Sequence, residues 1–357
     1  MNFFNNLHPG YSILISLAIL ASCKPAARIQ VLQPAQLIIP EHIQKIVLID
    51  RSKPSNGFLS NIESLLTGED YQQDKEGRTK AMNGLKDILA NTPRFQTSLS
   101  GIELEGSSGG RSFMPPLPWY EIETILAKYN GDAVVAIEMF DSDIQSTTTS
   151  RIVKEKDKDG KEISKIVYEG KRKGKINLGW RFYDPKNRQI IDEFKDTDEI
   201  EISSSGAPSQ ALAISNLQKS YEIIRNLAAT MGTKYGKRIA PVWITLARSY
   251  FKTVKDNNKE KFAQAARYAD AGEWLKAETI WEKIAEGRSS SAGKATYNLA
   301  VAAEVNGQLN LALQLARDAY TQFNEKKAKS YIRILERRII DQEEIQNQMH
   351  QSMKTNP

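Results

Sequence analysis

A single cysteine, Cys23, and three histidines, His8, His42 and His350, are all that this 357-residue chain holds of the side chains that most often do thiol chemistry or bind transition metals. Disulfide stapling is excluded, a Cys-based or His-rich metal site cannot be built, and stability must come from buried apolar cores. Long apolar runs are also missing: beyond residue 22 no stretch is apolar enough to span a bilayer, and the mean hydropathy is −0.47. With 40% hydrophobic and 26% charged residues, the rest of the chain has the composition of folded, water-facing protein. A strong charge bias is absent too, the formal net charge being +6. That surplus is local, because residues 151 to 195 hold 14 Lys and Arg against 8 Asp and Glu.

What the sequence does have, near its start, is an apolar run from Tyr11 to Ala21 that ends in Leu20-Ala21-Ser22-Cys23. The run is too short for a mature membrane-spanning helix and suits a signal peptide. The tetrapeptide resembles the lipobox of bacterial lipoproteins, although residues 1 to 22 contain no Lys or Arg. The resemblance implies cleavage before Cys23 and acylation of its sulfur and amine, and two or three acyl chains anchor a protein stably where one does not. Lys24, where many inner-membrane lipoproteins have Asp, points to the outer membrane, with the folded part facing the periplasm. In that compartment nucleic acid is not the expected partner of a basic chain; lipopolysaccharide phosphates and anionic lipids are nearer.

Length predicts two domains. Residues 1–22 read as the signal peptide and 23–40 as a tether. Residues 41–205 read as an α/β domain with a basic β-hairpin, 206–350 as a helical domain, and 351–357 as a disordered tail. Lys45 to Asp50 is a short apolar run of buried-strand type, and Ala81, Leu85, Ile88 and Leu89 fall at helical spacing, as do Ile122, Ile125 and Leu126. Asn130-Gly131 stops the second helix just before the apolar strand Asp132 to Phe140. Ile176, Leu178, Trp180 and Phe182 alternate with polar residues, turn at Asp184 to Asn187, and return through Gln189 to Phe194. Thr147 to Lys156 and Glu162 to Glu169 flank a second turn, Asp157-Lys158-Asp159-Gly160. The fold class expected is therefore α+β or α/β with a mixed sheet and a long antiparallel hairpin, followed by an all-α domain. Ser203 to Pro208 reads as a linker, Ser209 as the cap of a helix running to Met231, and everything beyond as helical, with Pro241 to Val254 and Lys326 to Met349 as capping helices.

Two segments of the helical part share a register. Gly272 and Gly307 lie 35 residues apart, as do Ala277 and Ala312. The spacing resembles tetratricopeptide repeats, over about residues 259–323, with a 35-residue period where the family has 34. The resemblance implies a glycine at the turn within each helix pair, a small alanine where helices cross, and Trp281, Leu299 and Ala300 at packing positions. The lipobox, the α/β part and these repeats, with Ala240-Pro241-Val242-Trp243 and Arg248-Ser249-Tyr250-Phe251, together resemble a family of Bacteroidota envelope lipoproteins to which no activity is assigned. Through Asn130 to Val135 the α/β part also resembles periplasmic domains of lipoproteins that assemble secretion pores or activate peptidoglycan synthases.

Motifs for catalysis fail on context. Gly106-Ser107-Ser108-Gly109-Gly110 has the form of a nucleophile elbow, but Met114-Pro115-Pro116 follows where a helix is required. Glu155 to Gly160 resembles half a calcium loop and lacks the closing Glu, position twelve being Ile166. Gly170-Lys171-Arg172-Lys173-Gly174-Lys175 is one residue short of a phosphate loop and runs into a strand. Its cations Lys171, Arg172, Lys173 and Lys175 read either as a patch for anionic envelope components or as lysines that protect an exposed strand from aggregation. Acidic pairs such as Asp141 with Asp143 and Asp192 with Glu193 are of the kind found on solvated strand ends. No catalytic residue, cofactor or metal is expected. The reading is a non-enzymatic, lipid-anchored scaffold that binds an envelope protein, attached to the membrane through Cys23. The alternative is a glycan-capture lipoprotein in which Trp119, Tyr120 or Trp180 stacks on sugars.

Overall fold

A computed structural model describes residues 26–53, 68–106, 112–287 and 289–353. Leu20, Ala21, Ser22, Cys23 and Ser108 lie outside these residues, as do residues 354–357. An α+β region with a mixed sheet is followed by an all-helical region. Two compact units divide the chain: Gln30–Thr245 with Glu336–Pro357, and Met1–Ile29 with Leu246–Leu335.

The first unit is built on five strands. They are β2 (Lys45–Lys53), β3 (Gln96–Glu105), β4 (Ala133–Lys156), β5 (Glu162–Asp184) and β6 (Gln189–Ala207), in the order β3-β2-β4-β5-β6. β2 runs parallel to β3 and β4, while β4, β5 and β6 are antiparallel. Because both faces of β2 and of the first half of β4 are covered, the runs Ile46 to Ile49 and Ala133 to Ile137 are continuously apolar rather than alternating. Helices α1 (Gly68–Leu89) and α4 (Ser220–Ile239) cover one face, burying Ala81, Leu85, Leu89, Ile224 and Met231 against Ile46, Leu48, Ile137, Leu178 and Trp180. Those two helices meet at a glycine: a Cβ on Gly232 would stand 1.9 Å from the Ala81 carbonyl oxygen. Helix α2 (Trp119–Tyr129) covers the other face, packing Ile122 and Leu126 on Val47, Val134 and Ala136. Asn130 ends it at φ 50°, and the Asp132 carboxylate accepts the main-chain N–H groups of Gln44 and Lys45 at the head of β2. The helix stop and the strand start are thus tied together.

The second unit contains α5 (Lys259–Asp270), α6 (Trp274–Ala285), α7 (Ala292–Val305), α8 (Leu309–Thr321) and the first part of α9 (Lys326–Met353). The α5–α6 and α7–α8 turns have the same bonding. Gly272 and Gly307 sit at φ +80° and +78°, where a side chain would be strained. Beside them Glu273 N–H reaches the Tyr268 carbonyl and Gln308 N–H the Ala303 carbonyl, both at 2.8 Å. Ala277 and Ala312 are wholly buried, as is Trp281.

Five expectations are corrected. Part of the expected tether is strand β1 (Ala26–Gln33), in which Ala27, Ile29 and Val31 point inward and Arg28 and Gln30 outward. The expected linker at Ser203 to Pro208 belongs to β6 up to Ala207, because its serines continue the ladder opposite Lys171 and Gly170. The helix from Ser209 is two helices: α3 (Gln210–Ser215), capped by the Ser209 side chain on Leu212 N–H, and α4, which continues eight residues past Met231 to Ile239. Pro241 to Val254 is not a capping helix; it begins with strand β7 (Val242–Ser249), whose partner is β1. Its β-branched start and alternating burial carry the strand signal. The first residues of the expected tail, to Met353, end α9.

Candidate interaction site

Two stretches of extended chain contrast in how their main chains are satisfied. The first, Arg248 to Lys252, lies in the second unit across α5, α7 and α9. The Arg248 guanidinium makes a two-pronged bond to the Glu304 carboxylate, at 2.7 and 3.0 Å. Tyr331 donates its hydroxyl to the same carboxylate at 2.7 Å. The Asn298 amide accepts from Phe251 N–H and donates to the Phe251 carbonyl, both at 2.8 Å, so it bonds like a neighbouring strand. Tyr250 places its ring against Trp274 and Trp281 and donates its hydroxyl to Asp270, which also takes Lys252 at 2.5 Å. Lys327 and Lys294 stand 4.3 and 5.2 Å from the centre of the Phe251 ring. Burial, and then the Glu304 charge, push the Tyr331 hydroxyl well above its ordinary pKa. Burial also raises the Asp270 carboxyl, but bonds from Lys252 and Tyr250 outweigh it and hold that group low.

The surface of α5, α7 and α9 that faces this segment is therefore occupied by the chain itself. Glu304 and Asn298 carry that arrangement, and sequence reasoning passed over them. The signal was present: Glu304 is the one charged residue between Ala295 and Val305 in a helix apolar on all sides, and such a residue is buried and partnered.

In the sheet unit a comparable lone acid, Glu138, is fully buried in β4. It accepts from Arg51 at 2.9 Å and from the Tyr183 hydroxyl, with Arg181 at 3.3 Å. Burial raises its pKa, and the bonds from Tyr183, Arg51 and Arg181 oppose that shift. Arg51 also donates to the Pro115 carbonyl, and Arg181 to the Met114 carbonyl and to Glu193. This network clamps the Met114 to Leu117 segment over the sheet. Among the described residues no group of three or more His, Cys, Asp or Glu is placed to hold a metal ion, and no helix is long and apolar enough to cross a membrane.

The second extended stretch is the outer half of β4. β2 accompanies β4 only from Ala133 to Ile137, and among the described residues no strand takes its place beyond that point. On its other side β4 is paired with β5 all the way to Lys156. From Asp143 onward the strand is exposed apart from partly covered Ile144, Thr148 and Val153, and Ile144 to Ser150 contains no charge. The opposite edge of the sheet, β6, carries Asp192, Glu193, Asp196, Asp198, Glu199 and Glu201. Charged edges repel an incoming strand, and uncharged β-branched ones accept it.

The predicted cations are divided by this geometry. Lys171, Lys173 and Lys175 share one face of β5, where Lys171 bonds Glu201 at 3.1 Å and Lys173 bonds Glu199 at 2.9 Å. Arg172 is on the other face, bonded to Ser146 and to the Gln218 carbonyl. Since β5 lies between β4 and β6, its lysines protect no edge, which corrects that reading. Gly170 leaves room for α3, because a Cβ there would stand 2.5 Å from the Ala213 carbonyl oxygen. Of the rings proposed for sugars, Trp180 is wholly buried and stacked on Tyr235, and Trp119 packs edge-on against Tyr183. Only Tyr120 is exposed, at 67%.

No curated protein matches the chain. Similar solved structures include the PelC dodecamer from Paraburkholderia phytofirmans, with 9% identity over 60% of this chain and 99% of that one and a TM-score of 0.23. A putative neuraminyllactose-binding hemagglutinin homolog from Helicobacter pylori has 16% identity over 57% and 87%, with a TM-score of 0.25. A minor lipoprotein from Acinetobacter baumannii has 12% identity over 56% and 98%, with a TM-score of 0.21. Residues 263–337 match the model of a domain of unknown function, DUF6340. The model of another, DUF8603, matches residues 43–251, more than half of the chain and the whole β2-to-β7 region described above, so the chain belongs to the DUF8603 family.

Proposed function

We propose that the chain is a non-enzymatic, lipid-anchored protein of the cell envelope, on the outer membrane and facing the periplasm, that binds protein through the open edge of β4. The lipobox at Leu20 to Cys23 supports the anchor. The observation that carries the binding role is the uncharged, unpaired edge from Ile144 to Ser150, which offers main-chain donors and acceptors to an added strand. The repeats support it in a negative way: their surface over α5, α7 and α9 already holds Arg248 to Lys252. The clamps at Glu138 and Glu304 hold loops and segments in place, which is scaffold work.

The test is association of the native anchored protein with envelope protein. Thr147→Lys with Thr149→Lys should reduce it at least tenfold, and a matched lysine on the exposed face of α8, Gln314→Lys, should not. Equal binding by all three proteins would contradict the edge. Cys23→Ser should release the protein from membranes; partition unchanged from wild type would contradict the anchor.

A further inference from the structure

We infer that the occupant of the β4 edge is the same edge of a second copy of this chain, paired antiparallel about a two-fold axis at Thr147. This rests on the proposed binding role of the edge and names its partner. A two-fold that joins an edge strand to itself stands perpendicular to the sheet and keeps each face continuous, so residues directly opposed must have the same parity. One face of β4 carries Asp143, Gln145, Thr147, Thr149 and Arg151. Centred at Thr147, Asp143 of each copy lies opposite Arg151 of the other, and Gln145 lies opposite Thr149. Two ion pairs then close the ends of an otherwise uncharged ladder.

Neighbouring centres fit less well. At Thr148, Asp143 lies opposite Val153 and Arg151 opposite Gln145, so neither charge meets its opposite. At Ser146, Asp143 lies opposite Thr149 and Arg151 meets no residue of an added ladder that begins at Asp143. The inner limit is set by Ser142, which donates to Asp74 of α1 and accepts from Gln73, so added pairing starts at Asp143. Asp143 to Arg151 is thus the stretch both free of α1 and closed by opposite charges. Arg151 already bonds Glu169 across the ribbon at 2.6 Å, which holds its guanidinium on the face that Asp143 of the other copy would reach.

Sedimentation of the full chain carrying Cys23→Ser, with cross-linking, tests the pairing. Wild type should be a dimer. Asp143→Arg alone should weaken dimerisation at least tenfold, and adding Arg151→Asp should restore it, a rescue that general damage to the strand would not give. With Cys23→Ser present, Thr147→Cys is the only thiol and should form a disulfide-linked dimer on mild oxidation, whereas Ser150→Cys, offset from its own copy, should not. A monomeric wild type, or a charge swap that fails to restore the dimer, overturns self-pairing. If the protein is monomeric while Thr147→Lys with Thr149→Lys still abolishes envelope-protein binding, the edge reading stands and its partner is another chain. If those lysines also change nothing, both fall.

Discussion

Arg248 to Lys252 and the outer half of β4 are both extended and both lie near a sheet or helix edge, yet one is held at every position and the other along one side only. In the first, an amide, two carboxylates and two lysines from three helices take the place of a neighbouring strand. In the second, beyond Ile137, β5 is the single neighbouring strand among the described residues. The difference shows where the chain spends its buried polar groups. Glu304 and Asn298 hold a segment against α5, α7 and α9, so that surface is taken, whereas the open main-chain edge is on the sheet.

The largest effect should come from breaking the held segment. Glu304→Ala leaves Arg248 without its carboxylate and Tyr331 with only the long bond to the Ala300 carbonyl in a buried setting, and should cost about 3–5 kcal/mol, read as a fall in Tm. A change within about 0.5 kcal/mol would mean that Arg248 to Lys252 is only loosely held and that the contrast between the two stretches fails.

The second effect lies where β4 leaves the body of the sheet unit. Burial raises the Asp74 carboxyl to about 6, against the bond from Ser142 and the charge of Arg78. The folded state therefore binds this proton more tightly than the unfolded chain, so the contribution is complete below about pH 4 and is lost as pH rises through 6. Asp74→Asn should remove that loss and stabilise the protein at pH 7 by up to roughly 3 kcal/mol. Denaturation at pH 4 and pH 7 checks it; a variant with the pH dependence of wild type would place Asp74 in water.

Third, Ala312→Leu and Ala277→Leu should each overpack a helix crossing by roughly 1–3 kcal/mol, while Lys276→Leu, at an exposed neighbour, should be close to neutral. Calorimetry of the three variants checks this, and neutral alanine variants would remove the repeat register. The smallest effect on stability should be that of Thr147→Lys, within about 0.5 kcal/mol, because the side chain is exposed. Its effect on association should nonetheless be large, since it sets two like charges face to face at the two-fold.

Much of the fold was legible because burial on both faces leaves a continuous apolar signature. The runs at Lys45 to Asp50 and Asp132 to Phe140 became β2 and the root of β4, and Asn130-Gly131 marked the end of α2. The glycine and alanine pairs announced the two matching helix turns. What was illegible depends on pairing at a distance. β1 and β3 set few large apolar residues among polar ones, and β6, whose start at Gln189 to Phe194 is legible as the hairpin return, continues through acids and serines that carry little strand signal. The candidate site was hidden for the same reason: that Gln145 to Ser150 lies on an edge follows from β2 ending its pairing at Ile137, which no local pattern records. The lysines of β5 were visible as charge, but the acids of β6 that meet them come from a strand whose register only the fold sets.

Amide hydrogen exchange of the full chain, followed from low to high protein concentration, tests the central claim most directly. Phe251, bonded to the Asn298 side chain, should be protected at every concentration, while the outward amides between Asp143 and Arg151 should exchange quickly in dilute solution and become protected as the concentration rises. Exchange of Asp143 to Arg151 that is slow from the start, or that stays fast at every concentration and in the presence of envelope protein, would contradict an open edge that takes a partner.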